Sequence, residues 1–531
     1  MTAPLTFRSL RPRSGSALAV LVAIAGAGWF SSHPAEARGV PKPEQAEALA
    51  LEAIDEIRRL EPSLPRPDNV PVAVGTGPIH LAKAVEIAIA NNPTMQTRRE
   101  QVRTAAINYI ATQRGYGPQW RATMTGQARE VGSRFNEERT AIQYFESQQL
   151  LGFTQKLPYG GSIALDLGGA LTQVESRPGD YSPRVVLSLN QPLLRRAGFD
   201  LYREPLVEAR LNLLDALRNY KLQREDFVIS IVSDYVSIQN IEQKIAINKE
   251  QGAAHDQLIR RSEAFFELGL ESEMEVLRAT QEALLVRQQR IDLQDDLENR
   301  RELFAITLGL TPDAKLELVP FPLPATNRQF RVQFDPQETV ADALLNRPDL
   351  HTAADAVEEN RRRLKYAKRN LLPDLDLNLS ANARHLGLRE GDTAIREEYT
   401  AGITLSLPLE RTRERVQLFG AWQTLKQSER LLHFARANLA AAVHRRITRM
   451  ASIENALELQ DLVVANARKG AKVAAFRFER GQASNRSLLE AKNTEARALL
   501  RNLDLQLSHY LNYLQIKRDI GQLQIDPVFQ P

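Results

Sequence analysis

Ala88-Ile89-Ala90-Asn91-Asn92-Pro93 decides the fold, because it returns in the second half of the chain as Ala343-Leu344-Leu345-Asn346-Arg347-Pro348, an offset of 255 (343 − 88). The same offset carries Pro118 onto Pro373, each ending a helical stretch and opening a strand-like one. Further on, Gln191-Pro192-Leu193 matches Leu407-Pro408-Leu409 at an offset of 216 (407 − 191). Phe266-Glu267-Leu268-Gly269 then matches Phe478-Glu479-Arg480-Gly481 at 212 (478 − 266), which also carries Leu277-Arg278-Ala279 onto Leu489-Glu490-Ala491. The chain is an internal duplication. Its first copy holds 39 (255 − 216) extra residues, all between Pro118 and Gln191.

Each copy reads as helix, strands, long helix, short turn, helix. The long stretches, 204–265 and 411–476, would each be on the order of 90–100 Å long at 1.5 Å per residue, far beyond the globular average. Pro205 is expected in a first helical turn, where proline is tolerated. The flanking helices, near 81–114 and 272–308, are about half that length, so two laid end to end would match one long helix. Val228, Val232, Tyr235, Ile238, Ile241 and Ile245 step by threes and fours, as a coiled-coil-like seam does. Leu277, Leu284 and Ile291 step by seven, as do Leu500, Leu507 and Leu514. Ordinary amphipathic bundle packing gives similar spacing. Lys244, Glu250, Arg287 and Arg290 between them read as a solvated face.

Composition narrows the function classes. The chain has 531 residues and no cysteine, which removes thiol nucleophiles, Cys-ligated zinc, disulfides and an N-terminal lipid-bearing cysteine. Residues 1–37 read as a secretory signal: Arg8, Arg11 and Arg13, an apolar run over 17–27, then Ala35-Glu36-Ala37. An uncleaved membrane anchor is the other reading of that run. Cleavage would leave 494 (531 − 37) residues and lower the net charge from +4 to +2, too weak a field for nucleic acid despite a pI near 9.1. Beyond the signal no apolar stretch reaches the ~18 residues of a spanning helix. The mature chain is soluble or enters a membrane as a β-barrel.

The strands favour the barrel. Trp120, Ala122, Met124, Gly126 and Ala128 alternate with Arg121, Thr123, Thr125, Gln127 and Arg129. Leu375, Leu377, Leu379, Ala381 and Ala383 oppose Asp374, Asp376, Asn378, Ser380 and Asn382; Tyr399, Ala401, Ile403, Leu405 and Leu407 oppose Thr400, Gly402, Thr404 and Ser406. These runs of roughly 9–11 residues have the length of tilted transmembrane strands. A half-buried soluble sheet alternates in the same way. One chain supplies too few strands to close a barrel, and lipid does not tolerate open edges, so several chains must share one. In the 39-residue excess, Leu151, Phe153 and Gln155, then Ile163, Leu165, Leu167, Gly169 and Leu171, suggest an added hairpin turning at Pro158-Tyr159-Gly160-Gly161.

This pattern resembles the TolC-like outer-membrane efflux protein family. The residues that carry it are Ala84-Val85-Glu86-Ile87-Ala88-Ile89-Ala90-Asn91-Asn92-Pro93 and its repeat, Gln191-Pro192-Leu193-Leu194 and Leu407-Pro408-Leu409, and the Gly269 and Gly481 turns with their downstream Leu-x-Ala. The resemblance spans about residues 78–520. It implies a mostly α fold with a membrane β-barrel portion: a homotrimer whose shared outer-membrane barrel continues into an α-helical periplasmic tunnel. It further implies docking on an inner-membrane pump through a periplasmic adaptor, export of drugs, metals or polypeptides, and no chemistry or cofactor. The family usually gives two strands per repeat, twelve in the trimer. Whether the added hairpin enlarges the barrel or forms an external flap stays open.

The resemblance places acidic side chains just after the two helix turns, ringing the periplasmic entrance. By position these are Glu490 and Glu275, with Glu271 and Glu273 near the same turn. Three copies would form a cation-attracting constriction. Ser487 stands where an aspartate often precedes the second acidic residue, and Phe478 where a tyrosine can hydrogen-bond across a closed entrance. The plainer reading of these carboxylates is a helix-start charge complementing the dipole.

No enzyme signature competes. The histidines form neither HExxH nor HxH, and Gly115-Tyr116-Gly117 leads into a strand, not a helix. Asp374 and Asp376 share a strand face as polar lining. A soluble periplasmic coiled-coil adaptor is the alternative, sharing the signal and long helices but not the twofold helix–strand–helix repeat. The expected organisation is a signal over 1–37, a Pro-rich extension over 38–77, a first efflux repeat over 78–310, a linker over 311–337, a second repeat over 338–521 and a tail over 522–531.

Overall fold

The computed structural model describes residues 77–135, 138–174, 180–314, 316–322, 334–387 and 393–523. They all belong to one compact unit, Glu56–Pro531. The expected signal, the helix expected near 44–60 and nearly all of the Pro-rich extension lie outside the described residues, as does most of the tail.

In chain order the elements are α1 (Leu81–Asn91), α2 (Pro93–Arg114), β1 (Gln119–Phe135), β2 (Glu138–Lys156), β3 (Ser162–Val174), β4 (Asp180–Pro192), α3 (Phe199–Glu267) and α4 (Glu273–Thr307). The second half supplies α5 (Pro336–Asn346), α6 (Pro348–Arg369), β5 (Asp374–Gly387), β6 (Thr393–Ser406), α7 (Thr412–Glu479) and α8 (Asn485–Asp519). The long helices have 69 and 68 residues, each spanning about 100 Å. Two expectations are corrected. The stretch 81–114 is two helices, because Asn92 is extended and its side chain caps α2 through Thr94 N (2.9 Å), with Pro93 at the first helical position. And α3 begins at Phe199, so Pro205 lies inside the helix rather than in its first turn.

The duplication is visible as one contact made twice. α4 ends at Gly309 (φ +74°) with Leu310 N donating to Ala305 O at 2.9 Å; α8 ends at Gly521 (φ +70°) with Gln522 N donating to Lys517 O at 2.9 Å. A Cβ on Gly309 would lie 2.8 Å from Asn91, and one on Gly521 would lie 3.1 Å from Asn346. The two asparagines are related by the offset of 255 and the two glycines by that of 212, so both offsets converge on one junction. There Asn92 Nδ2 donates to Thr307 O (2.9 Å), while its counterpart Arg347 pairs with Asp519 (2.6 Å). The half-length helices therefore stack end to end, α4 against α1/α2 and α8 against α5/α6, beside the long ones.

Laterally, α3 lies between α2/α4 and α6/α8, and α7 packs on the far side of α6/α8. The main core sits at the middle of this layer. Val228, Val232, Tyr235 and Ile238 are buried there with Ala84, Ala88, Phe304, Leu308, Tyr510 and Leu514. Tyr235 Oη donates to Ile79 O (2.9 Å) and Val319 O (2.6 Å), holding the linker residues against the segment that precedes α1. Burial drives its pKa up to about 12, so it stays a donor. Two charges read as solvated are paired between helices: Lys244 with Asp504 (2.7 Å) and Arg287 with Asp256 (2.8 Å).

The six strands form one antiparallel sheet in chain order, β1 to β6. They run to 13–19 residues, longer than the alternating runs suggested. The first half contributes four strands and the second two, because the extra residues form β2 and β3. Among the described residues β1 pairs only with β2 and β6 only with β5, so the single chain leaves the sheet open at both edges.

Candidate pore entrance and barrel wall

The sheet has two chemically distinct faces, which the register fixes because side chains alternate along each strand. Trp120 stands opposite Phe153, which stands opposite Leu165, then Leu187, Ala381 and Tyr399. Ala122, Leu151, Leu167, Val185 and Ala383 make the next row. Gln191, Leu377 and Ile403 lie in one row, Leu189, Leu379 and Ala401 in another, and Leu375 faces Leu405. The face is interrupted by Ser147 and Gln149, yet it crosses all six strands. Its large side chains point away from the rest of the chain: Met124 is 76% exposed and Ile403 69%. An exposed apolar band of this extent needs a non-aqueous neighbour.

The opposite face is mostly polar, with Leu150 and Val186 as its large apolar exceptions. It carries Arg121, Thr123 and Thr125, then Gln148, Asp166, Ser188, Asn190, Asp376, Asn378, Ser380 and Thr404. Arg121 reaches over Gly152 to Asp166 (3.2 Å), and a Cβ on Gly152 would lie 2.1 Å from that carboxylate. Asn190 donates to Asn378 at 2.6 Å. Where the sheet meets the helices, Arg196 pairs with Asp376 (2.8 Å) and Arg195 with Asp374 (3.5 Å), so these aspartates are ion-paired lining.

At the far end of the helices lie the two turns. Each is a Schellman close: Gly269 (φ +71°) follows α3, with Leu270 N donating to Phe265 O (2.8 Å), and Gly481 (φ +71°) follows α7, with Gln482 N donating to Arg477 O (2.8 Å). Ser484 caps α8 by accepting from Ser487 N, and Ser487 Oγ donates to Ser484 O (2.8 Å). Ser487 is thus an exposed residue of the first turn of α8, tied back to its cap.

The acidic candidates are not bare. Glu490 pairs with Arg486 at 2.9 Å, both side chains 66% exposed. Glu275 pairs with Arg278 at 2.9 Å and also acts on Arg486, whose pKa is raised first by Glu490 and further by Glu275. One arginine is therefore paired with one ring candidate and attracted by the other. Glu273 is exposed beside them, and Glu271 is half-buried with one carboxylate oxygen lacking a partner. Phe478 packs inside the protomer at 7% exposure, with Leu258 and Leu489; the Arg261 guanidinium lies 4.2 Å over its ring and donates to its carbonyl (3.2 Å). Asn485 ties α8 to α3 through Ser262 (2.5 Å). Arg486, Arg278, Arg261 and Asn485 were missed by the sequence reading. Only the i, i+4 spacing of Arg486 and Glu490 could have signalled the first.

A cavity of about 330 Å³ opens behind Phe478, lined by His255, Arg261, Glu479 and Lys492. His255 is 2% exposed with both ring nitrogens unpaired; burial pulls its pKa down, only partly offset by the nearby Asn493, Glu282 and Asp256. Among the described residues no cluster of His, Cys, Asp and Glu could hold a metal ion, and no helix is long and apolar enough to cross a membrane.

A layer of long helices ending in a sheet with one apolar and one mostly polar face is the fold of outer-membrane channel subunits. Residues 339–522, most of the second repeat, match the model of the outer membrane efflux protein family. Among solved structures the chain is similar to the outer-membrane channel OprN (17% identity, 83% of this chain and 90% of that one, TM-score 0.63). It is also similar to VceC of Vibrio cholerae (14%, 83% and 96%, TM-score 0.60) and to the CmeC channel of Campylobacter jejuni (14%, 88% and 95%, TM-score 0.59). At these identities the likeness is one of fold. No curated protein matches the sequence at a significant level.

Proposed function

We propose that this protein is the outer-membrane duct of a tripartite efflux or type I secretion assembly, a homotrimer that conducts passively what an inner-membrane pump delivers through a periplasmic adaptor. The observation that carries the reading is a coincidence of edges. The open strand β1 continues from α2, at the same side of the helix layer as α4; the open strand β6 leads into α7, at the other side. Both helical edges expose apolar side chains, Leu277, Leu284 and Ile291 on α4, and Phe419, Leu431, Phe434 and Leu459 on α7. Pairing one edge of each copy with the other edge of the next covers sheet and helices together, and a ring of copies has no end left open.

In this arrangement the Gly269 and Gly481 turns form the periplasmic mouth, with Glu490, Glu275, Glu271 and Glu273 as its acidic groups. A soluble adaptor would share the helices but gain nothing from an apolar face across six strands. Reconstitution into planar bilayers tests the reading. The detergent-extracted protein is expected to give discrete, passive conductance steps; a water-soluble protein that leaves the bilayer sealed would contradict it.

A further inference from the structure

The strand count departs from the four per chain that the family resemblance implies. We propose that the β2–β3 hairpin is part of the membrane wall, so that three copies close a barrel of eighteen strands (three times six) in place of twelve. This rests on the trimeric-channel reading and goes beyond it. Three observations carry it.

First, the hairpin is fully integrated in the sheet. β2 and β3 lie between β1 and β4 with unbroken ladders on both sides, Gln119–Thr154 through Phe135–Glu138 on one and Ser162–Asn190 through Thr172–Asp180 on the other. An external flap would leave β1 hydrogen-bonded to β4. Here a Cβ on Gly168 would fall 1.9 Å from Gln149 O, so β2 and β3 are in close contact.

Second, the added strands carry the wall's two-faced chemistry. Phe145, Leu151, Phe153, Leu165 and Leu167 continue the apolar face between Trp120 and Leu187, while Asp166 on the polar face closes the ion pair with Arg121 across Gly152. A flap in water would have no use for an unbroken apolar row in register with the membrane strands.

Third, the hairpin's turn is locked into the joint between sheet and helices. Tyr159 (φ +79°) and Gly160 (φ +89°) form it; Gly198 N donates to Tyr159 O (3.1 Å) and Gln191 Nε2 donates to the same oxygen (3.3 Å). A Cβ on Gly160 would meet Arg196 O at 2.6 Å. The turn therefore abuts the first residues of α3, where the wall becomes the tunnel.

Dimensions agree. Strands about 4.8 Å apart and tilted by about 40° each take up roughly 6 Å of circumference, and packed helices about 9 Å. Each copy presents four helices in cross-section, α4, α3, α8 and α7, twelve in the trimer. Twelve helices and eighteen strands both close at about 110 Å, whereas twelve strands close at about 75 Å. The outlet is then as wide as the tunnel, about half as wide again as a twelve-stranded barrel, in the range that leaves an open aqueous channel. Selection falls to the periplasmic mouth.

Electron cryomicroscopy of the full chain in lipid nanodiscs tests this. Eighteen strands in the wall are expected. A trimer with a twelve-stranded wall and the β2–β3 hairpin outside it would overturn the inference while leaving the channel reading intact; a soluble monomer would overturn both. Because the chain has no cysteine, Leu167→Cys and Leu151→Cys give single attachment points for an environment-sensitive fluorophore. Loss of emission in brominated lipid is expected at both positions, and unchanged emission would overturn the proposal.

Discussion

If the Gly269 and Gly481 turns form the periplasmic mouth, as proposed, Arg486 sets what it presents to a permeating ion. Its pairs with Glu490 and, through longer-range attraction, with Glu275 make the local charge mixed rather than acidic. Arg486→Ala should therefore raise cation over anion permeability several-fold in planar bilayers, and more than Glu490→Ala lowers it. An unchanged ratio on Arg486→Ala would mean the arginine does not face the pore. His255 sets a second residue-scale expectation. Burial holds its folded pKa below the ordinary value near 6.5, so the unfolded chain binds more protons just below that pH. Stability near the turns should be intact above pH 6.5 and fall as pH drops, by at most about 1.4 kcal/mol per pH unit for one proton. His255→Gln should flatten this slope in melting or limited proteolysis; an unchanged slope would assign it to other groups. Glu275 and Glu490 drew notice because each lies in the first turns of the helix that follows a glycine turn, six (275 − 269) and nine (490 − 481) residues on. The pair of Arg486 with Glu490 was signalled only by their i, i+4 spacing, and the reach of Arg486 to Glu275 depends on two helices meeting side by side.

Elements in this chain are readable where a local rule dominates and obscure where partners decide. The Gly269 and Gly481 turns and the alternating strands announced themselves, whereas the helix break at Asn92-Pro93 was read through as one helix. The start of α3 did not, because Pro205 is a helix-start signal that the chain overrides. The seven-residue spacing of Leu277, Leu284 and Ile291 was read as a seam, and within one chain it is an exposed stripe on α4. That is intelligible if its partner is the α7 edge of another copy. Leu284→Asp on α4, or Phe434→Asp on α7, should convert the native oligomer to monomer in detergent while leaving the helical circular dichroism unchanged. An intact oligomer would place the contact elsewhere. Leu310, whose environment is internal to the chain, makes the contrast: its backbone closes α4 without any partner copy.

At the scale of the molecule, duplication does most of the specifying. Two offsets in the sequence converge on two equivalent junctions, Asn91 with Gly309 and Asn346 with Gly521, and these hold half-length helices end to end beside full-length ones. The 39-residue excess was legible as a hairpin; its place inside the sheet was not, because strand order is a non-local property. What no reading of one chain supplies is the number of copies, although the two open sides of sheet and helix layer demand a closed ring. The most direct test of a barrel shared among copies is the native mass of the complex extracted in detergent from the outer-membrane fraction. A detergent-requiring species of three chains is expected. A monomer or dimer that stays soluble without detergent would contradict it and leave the long helices to an adaptor's role.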